Sequence, residues 1–115
     1  MYSVTAAFIN WLNVYGYDAH SYPPADGTEF VTVERTGGGV SDMVDHPAIA
    51  IQTWAQTEER AEDMANEIRY LVLTEAPPVG VHGVAINTGA YRFYDENTRL
   101  PRFQLALDVV SQLTE

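Results

Sequence analysis

The stretch ERTGGGVSDMVDHPAIAIQTWA, Glu34–Ala55, joins the end of one apolar run to the start of the next. TEFVTVERT, residues 28–36, overlaps its start and alternates as a half-buried strand does. Its second half, AIAIQTWA, is more apolar and is typical of a strand covered on more than one side. Three consecutive glycines and two aspartates fill the interval: Gly37, Gly38, Gly39, Asp42 and Asp45. Because glycine bends easily and is costly to order, we predict a flexible loop at about residues 36–47 between neighbouring strands.

Outward from these strands, the spacing of apolar residues predicts two helices. The first begins after Ser3 as its cap, keeps its apolar residues on one helical face and ends near Gly16. The second follows Thr57 as its cap, and acidic residues occupy its positive amino-terminal end. The segment APPVG, residues 76–80, stops this second helix because a residue before proline disfavours helical backbone.

The remaining sequence predicts three more strands. VHGVAIN and a short YRFY precede the turn DENTRLP, and a final run from Arg102 to Val109 alternates cleanly. One face of that run is apolar: Phe103, Leu105, Leu107 and Val109. The order α-β-β-α-β-β-β predicts a single α+β domain over residues 1–115. We expect two layers, with two helices packed on a mostly antiparallel or mixed β-sheet.

Length and composition fit a soluble globular domain. The chain has 115 residues, of which 46% are hydrophobic and 19% charged, enough for a modest core. No apolar run approaches the roughly 20 residues of a membrane helix, and the start MYSVTAAFINWLN lacks the basic residues of a secretory signal. We therefore expect neither export nor membrane contact. The absence of cysteine excludes disulfides and thiolate metal sites and is compatible with a reducing cytosol.

The charge balance disfavours nucleic acids as partners. Sixteen acidic residues against six basic ones give a formal net charge of −10, whereas binding to phosphate backbones depends on Lys and Arg. All six basic residues are arginine. Arginine makes planar, multidentate contacts, so some of the six are candidate interface anchors. Codon bias in a G+C-rich genome is the alternative explanation.

Motifs of nucleotide binding and of nucleophilic catalysis are incomplete. A phosphate-binding loop needs a lysine and a helix directly after its glycines; here aspartates and a strand follow. No G-x-G-x-x-G leads into a helix, as a dinucleotide site requires. GVSDM resembles the first half of a serine nucleophile elbow, but Met43 replaces the second glycine.

The titratable residues also give no site signature. His20, His46 and His82 lack metal-ligand spacing, and we interpret the paired carboxylates of the loop and of DENT as solvated turn residues. We therefore predict no catalytic residue, no cofactor and no metal. A small acidic enzyme that uses Asp42, Asp45 or His46 is kept as an alternative.

An ordered series of segments resembles the tail terminator proteins of long-tailed bacteriophages, also called tail completion or minor tail proteins. VTVERTGGG precedes VDHPAIAIQTWA, and then comes the Ala- and Glu-rich helix TEERAEDMANEIRYLVL. GVHGVAINTGAYRFYDENTRLPRFQLALDVV follows, in which D-x-x-T-R-x-P-R-F leads into the last strand. The resemblance covers roughly residues 30–110 and rests on order and spacing.

The resemblance implies a structural role without chemistry. Such proteins are similar to tail tube subunits in fold, and they form hexameric rings on the last ring of the tube. There they end tube growth and present the surface to which the head-tail connector of the DNA-filled head attaches. The implied partners are therefore copies of this chain, the tail tube protein and a connector or head-completion protein. DNA passes through the lumen without specific binding. The implied location is the neck of the virion, after assembly in the host cytoplasm.

The residues add a hypothesis about the assembly surface. A ring needs two different patches that meet between copies. We assign them to the glycine-rich loop and to arginines near strand ends, which would pair with the acidic helix of a neighbour. The predicted interface residues are Gly37, Gly38, Gly39, Asp42, Asp45, Arg92, Arg99 and Arg102. Another ring of the neck, such as a head-completion protein or connector adaptor, is the alternative within virion assembly.

Overall fold

Helices and strands follow roughly the predicted order, with one additional short strand before the second helix and one strand fewer after it. The structure, a computed structural model, describes residues 2–92 and 100–113. Its elements are α1 (Val4–Val14), β1 (Ala19–His20), β2 (Phe30–Ser41), β3 (Val44–Trp54), α2 (Glu58–Thr74), β4 (Val81–Arg92) and β5 (Arg102–Ser111). Within these ranges the strands form one sheet in the order β1-β2-β3-β5-β4. All neighbours are antiparallel except β1 and β2. The predicted α+β class, with two helices on a mostly antiparallel sheet, is confirmed.

Both helices begin at the predicted caps. The hydroxyl oxygen of Ser3 accepts a hydrogen bond from the Ala6 backbone N–H, and that of Thr57 accepts one from Arg60. Such caps satisfy backbone donors that have no partner within the helix. After α1, Gly16 has a φ of +94°, a backbone conformation that only glycine adopts at low cost. The chain therefore reverses directly into the short strand β1.

The core lies between the helices and one face of the sheet. Strands β2, β3 and β5 contribute alternate aliphatic residues, and the helices contribute Phe8, Leu12, Met64 and Ile68. The apolar face predicted for the last strand is confirmed, because Phe103, Leu105, Leu107 and Val109 are all buried there. Burying a large apolar side chain stabilises the fold by roughly 1.5–3 kcal/mol.

The glycine-rich segment differs from its predicted form. Residues 36–47 do not form a loop, since β2 continues to Ser41 and β3 starts at Val44. The two strands pair up to Ser41 opposite Val44, with one irregularity between Arg35 and Gly37. In the structure the glycines lie within the paired strand beside the irregularity, and the tight turn is made by Asp42 and Met43.

Three smaller differences concern the remaining elements. The sequence did not indicate β1, which pairs with β2 over only two residues. The predicted strand at 81–87 and the described part of the predicted strand at 91–94 belong to one strand, β4. Part of the predicted YRFY strand and most of the DENTRLP turn lie outside the described residues. Among the described helices, none is long and apolar enough to span a membrane.

Candidate assembly surface

The hairpin of β2 and β3 extends beyond the layer that the helices cover. From Glu34 to Met43 every residue is exposed, and β3 reaches its last β5 partner where Asp45 meets Ser111. We call residues 35–46 the arm. The arm contributes to an elongated molecule with principal extents of 42 × 27 × 25 Å. It contains five of the predicted interface residues, and it presents them on a paired β-ribbon.

The turn at the end of the arm is backbone-strained. Asp42 and Met43 have φ values of 54° and 66°, and they connect the paired residues Ser41 and Val44. Two consecutive positive φ values match the right-handed twist of a hairpin. Asp tolerates this conformation, whereas a long side chain such as that of Met rarely adopts it. A strained residue at an exposed tip points to a function for its side chain.

Of the three glycines, only Gly38 is required by the observed geometry. It has a φ of +95°, and a Cβ atom there would lie 2.0 Å from the carbonyl oxygen of His46 on the opposite strand. Gly37 and Gly39 have open space where a Cβ would stand. The lack of a side chain at Gly38 thus lets the two strands of the arm approach each other closely, just beyond the irregularity.

An ion pair fixes the base of the arm. The guanidinium of Arg35 donates from Nη1 and Nη2 to the two carboxylate oxygens of Asp45, at 2.6 and 2.8 Å. Its Nε also donates to the Gly37 carbonyl oxygen at 3.0 Å. The Asp45 side chain is only 13% exposed, and its hydrogen bonds to Arg35 hold its pKa below the usual 3.8. Asp45 is therefore a structural anion of the arm.

This pair predicts a pH dependence of stability. A lowered folded-state pKa stabilises the fold above pH 3.8, and that contribution is lost as the pH falls through the folded-state pKa. We expect Asp45→Asn to lower the free energy of unfolding at pH 7 by about 1–3 kcal/mol. We expect urea unfolding between pH 7 and pH 2 to show that the difference in the free energy of unfolding between the variant and the wild type shrinks below pH 3.8. Glu62→Gln on exposed α2 is the control, and a difference for Asp45→Asn that is constant with pH would contradict the assignment.

The predicted arginines lie at the other end of the sheet. Arg102 pairs with Trp54 at the start of β5, and its guanidinium carbon lies 4.6 Å from the centre of the Trp54 ring. Arg92 ends β4, with Nε 3.7 Å from a carboxylate oxygen of Glu58 at the start of α2. Arg99 lies outside the described residues. The interface residues thus form two separate patches, and Arg92 already contacts the acidic helix of its own chain.

Two open sheet edges are a feature that the sequence analysis missed. Within the described chain, β1 pairs only with Val31 and Thr32, which leaves the outer edge of β2 from Val33 to Ser41 without a strand partner. The strand β4 forms the opposite edge of the sheet. Neither β2 nor β4 contains a lysine or a proline, residues that commonly protect edges against pairing. Only the strand order reveals these edges, so local sequence patterns could not predict them.

A polar ladder on the sheet face opposite the helices was also missed. Thr32 donates to the Gln52 side-chain oxygen at 2.7 Å, and Gln52 donates to Glu34 and Gln104 at 2.9 and 2.8 Å. Gln104 then donates to the Tyr91 hydroxyl oxygen. The ladder crosses β2, β3, β5 and β4, and Thr32, Gln52 and Gln104 are buried. Satisfied buried networks of this kind make a surface rigid.

Among the residues of the enzyme alternative, His46 has one side-chain contact that is relevant to catalysis. The Ser41 hydroxyl lies 3.3 Å from Nε2 of His46, in an exposed position on the arm. A nucleophile and base also need a third group that orients the base, and the nearby Asp45 carboxylate is engaged by Arg35. His20 instead contacts Asp18 at 2.7 Å. Across residues 2–92 and 100–113, no group of three His, Asp or Glu side chains is placed to hold a metal ion.

Comparison of the sequence with protein-family models and with curated proteins finds no match. The arm, the two open edges and the separated arginine patch are therefore the features that indicate a function.

Proposed function

We propose that this chain is a structural subunit of a bacteriophage virion that caps the tail tube as a homohexameric ring. The ring ends tube polymerisation and forms the surface to which the connector or head-completion protein attaches. This role requires contacts with copies of the chain, with the tail tube protein and with the connector. It needs no catalytic residue and no cofactor. Assembly takes place in the host cytoplasm, and the protein remains in the neck of the virion.

The observation that carries the proposal is the pair of open edges on one sheet. The outer edge of β2 and the outer edge of β4 are different surfaces at opposite ends of the strand order. Contacts between two different patches are heterologous, and they generate a ring when the rotation between subunits closes. Backbone donors and acceptors of an open edge bind an added strand through main-chain hydrogen bonds. Edge-to-edge pairing between neighbours therefore supplies the repeated contact of the ring.

The arm and the arginine patch support the same arrangement. The arm extends beyond the helical layer, where its exposed residues can reach another subunit, whereas Asp45 is bound by Arg35 at the base of the arm. The patch of Arg92 and Arg102 lies at the far end of the sheet. A subunit with contact residues at both ends of its strands can touch a different partner with each end. In a neck ring, the arm can meet a neighbouring copy and the arginine patch can meet the tube or the connector.

The net charge of −10 suits a ring through which DNA moves. Negative potential repels phosphate groups, and a chain with six basic residues offers few sites at which DNA would be retained. DNA therefore passes through the lumen without specific binding.

Ring formation is the first test. We expect purified protein, followed by native mass spectrometry and negative-stain electron microscopy over a range of concentrations, to form closed six-membered rings. Tail tubes of the corresponding phage should promote ring formation at their ends, since a template raises the local concentration of subunits. A protein that stays monomeric both alone and with tubes would contradict the proposal.

Another neck ring, such as a connector adaptor, is the second candidate. Both roles use small α+β rings, and the open edges serve either one. Incubation with isolated tails and, separately, with filled heads distinguishes them. A terminator binds the end of the tube first, whereas a head-completion protein binds the head vertex without tails.

A further inference from the structure

An uncharged groove runs along the outer side of α1. One wall is the exposed stripe of α1, from Ser3 to Val14, and the other is the connection between α2 and β4, residues 76–79. Its volume is about 590 Å³, within the range of roughly 300–1,000 Å³ that binding pockets occupy. Val14 and Val79, at its two walls, are 82% and 89% exposed. Large apolar side chains at such exposure mark an interaction surface when they lie side by side.

Hydrogen bonds hold the two walls in place. The indole N–H of Trp11 donates to the Ala76 carbonyl oxygen at 2.9 Å, and the Tyr2 hydroxyl donates to the Val79 carbonyl oxygen at 2.8 Å. The Tyr2 ring also lies against Gly80, where a Cβ atom would be 2.4 Å from the ring. The groove is thus formed before any partner arrives, which lowers the entropic cost of binding.

The charge of the groove restricts what can occupy it. None of its lining residues is charged: Tyr2, Ser3, Ala6, Ala7, Asn10, Trp11, Val14, Tyr15, Ala76, Pro77, Pro78 and Val79. Each copy of the chain carries a net charge of −10, so most surfaces of two copies repel each other. A groove without charge is a place where a second acidic copy can approach closely.

The same chain carries an apolar projection that matches this groove. At the tip of the arm, Val40 is 57% exposed and Met43 is 80% exposed. Met43 is held at a positive φ, although a polar or glycine residue would fit that turn at lower cost. Since both side chains remain exposed, the arm of a molecule does not fill the groove of that same molecule.

We infer that the arm tip of one copy docks into the α1 groove of the next copy, with Val40 and Met43 against the wall formed by residues 76–79. The inference rests on the proposed ring, because it names the contact that the arm makes there. Tip and groove are different surfaces of one chain, so each copy gives one contact and receives one. The contact buries apolar area at the tip, which explains why the turn keeps a strained methionine.

The lack of cysteine makes a direct test possible. Two single-cysteine variants, Val40→Cys and Val79→Cys, are mixed and treated with a short bismaleimide. Since the two cysteines are on different molecules, a heterodimeric product reports an intermolecular contact. We expect this product to form several-fold faster than with the control pair Val40→Cys and Glu62→Cys. Glu62 is exposed near the start of α2, about three turns from the helix end that leads to residues 76–79.

A second variant removes the tip without disturbing the turn. Met43→Asn removes the apolar side chain at the tip. Because Asn tolerates a positive φ, the arm remains folded. We expect it to weaken association about tenfold to a hundredfold, which corresponds to the lost burial of one large apolar side chain. Tyr22→Asn is the matched control, because it makes the same replacement of a large side chain at a residue that is 71% exposed and lies outside both the arm and the groove; its association should equal that of the wild type.

The outcomes separate this contact from the ring itself. Closed rings without the product joining positions 40 and 79 would overturn the docking and leave the proposed function intact. Absence of both rings and product would overturn both. If Val40→Cys forms a product only with a cysteine-bearing tail tube protein, the tip contacts the tube. That result would overturn docking between copies.

Discussion

Replacing Gly38 by alanine is expected to separate the two strands of the arm and to abolish ring formation, while the helices and core stay folded. The new Cβ would lie 2.0 Å from the His46 carbonyl oxygen, a distance that no rotamer change relieves. The positive φ adds a cost of roughly 1–2 kcal/mol for alanine. Amide hydrogen exchange should accelerate in residues 37–46 and remain slow in α1 and α2. Native mass spectrometry should then show monomers in place of rings.

Gly39→Ala is the matched control for this prediction. It makes the same chemical change one position later, where nothing lies within 4 Å of the added atom. We expect slow exchange in the arm and normal rings. Equal loss of rings in both variants would mean that glycine content, rather than the close approach at Gly38, governs the behaviour of the arm. Normal rings with Gly38→Ala, despite fast exchange in residues 37–46, would exclude the arm from the interface.

The largest effect on stability is expected for Leu105→Ala. Leu105 is fully buried on the helix-facing side of β5, opposite Ile51. Removing its branched end leaves a cavity that the surrounding sheet fills only partly, so we expect a loss of about 2–5 kcal/mol in the free energy of unfolding. Against a total of roughly 5–15 kcal/mol, this should lower the Tm by about 10 °C or more. Differential scanning calorimetry and urea unfolding measure both quantities.

Val110→Ala gives the comparison on the same strand. Val110 is 37% exposed, so its truncation should change stability by about 0.5 kcal/mol or less. A Leu105→Ala variant no less stable than Val110→Ala would contradict the position of the core. Because Leu105 is distant from the arm, we also expect rings of Leu105→Ala to form normally at temperatures well below its Tm.

The sequence predicted elements whose signals are local. Ser3 and Thr57 cap the helices because a hydroxyl before a helical apolar pattern satisfies backbone donors at that position. The alternation from Phe103 to Val109 predicted the buried face of β5 because side chains of a strand alternate strictly. In both cases the pattern needs no knowledge of distant residues. The α+β class followed from these elements.

The arm was mispredicted because its signals compete. Three glycines and two aspartates are typical of a loop, and the usual Asn-Gly signature of a hairpin turn is absent. The structure instead places Asp42 and Met43 at positive φ and uses Gly38 where the strands approach closely. A methionine in that turn is locally unfavourable, so no local pattern could predict it. Such conflicts between local preference and structure are expected at functional positions.

The candidate surfaces depend on strand order, which the sequence did not determine. Arg92 and Arg102 were predicted near strand ends, but only the topology places them opposite the arm. The open edges became visible once β2 and β4 were located on the outside of the sheet. Likewise, the hydrogen bond from Gln52 to Gln104 joins residues that are 52 positions apart.

The irregularity between Arg35 and Gly37 has a consequence for the shape of any polymer. A bulge increases the local twist of its strand, so in a ring whose copies pair along the β2 edge it would contribute to the angle between neighbouring sheets. An angle that divides a full circle gives a closed ring with a fixed number of subunits, whereas any other angle gives an open fibre of unlimited length. If the proposed ring forms, straightening this one position should favour an open fibre over a closed ring.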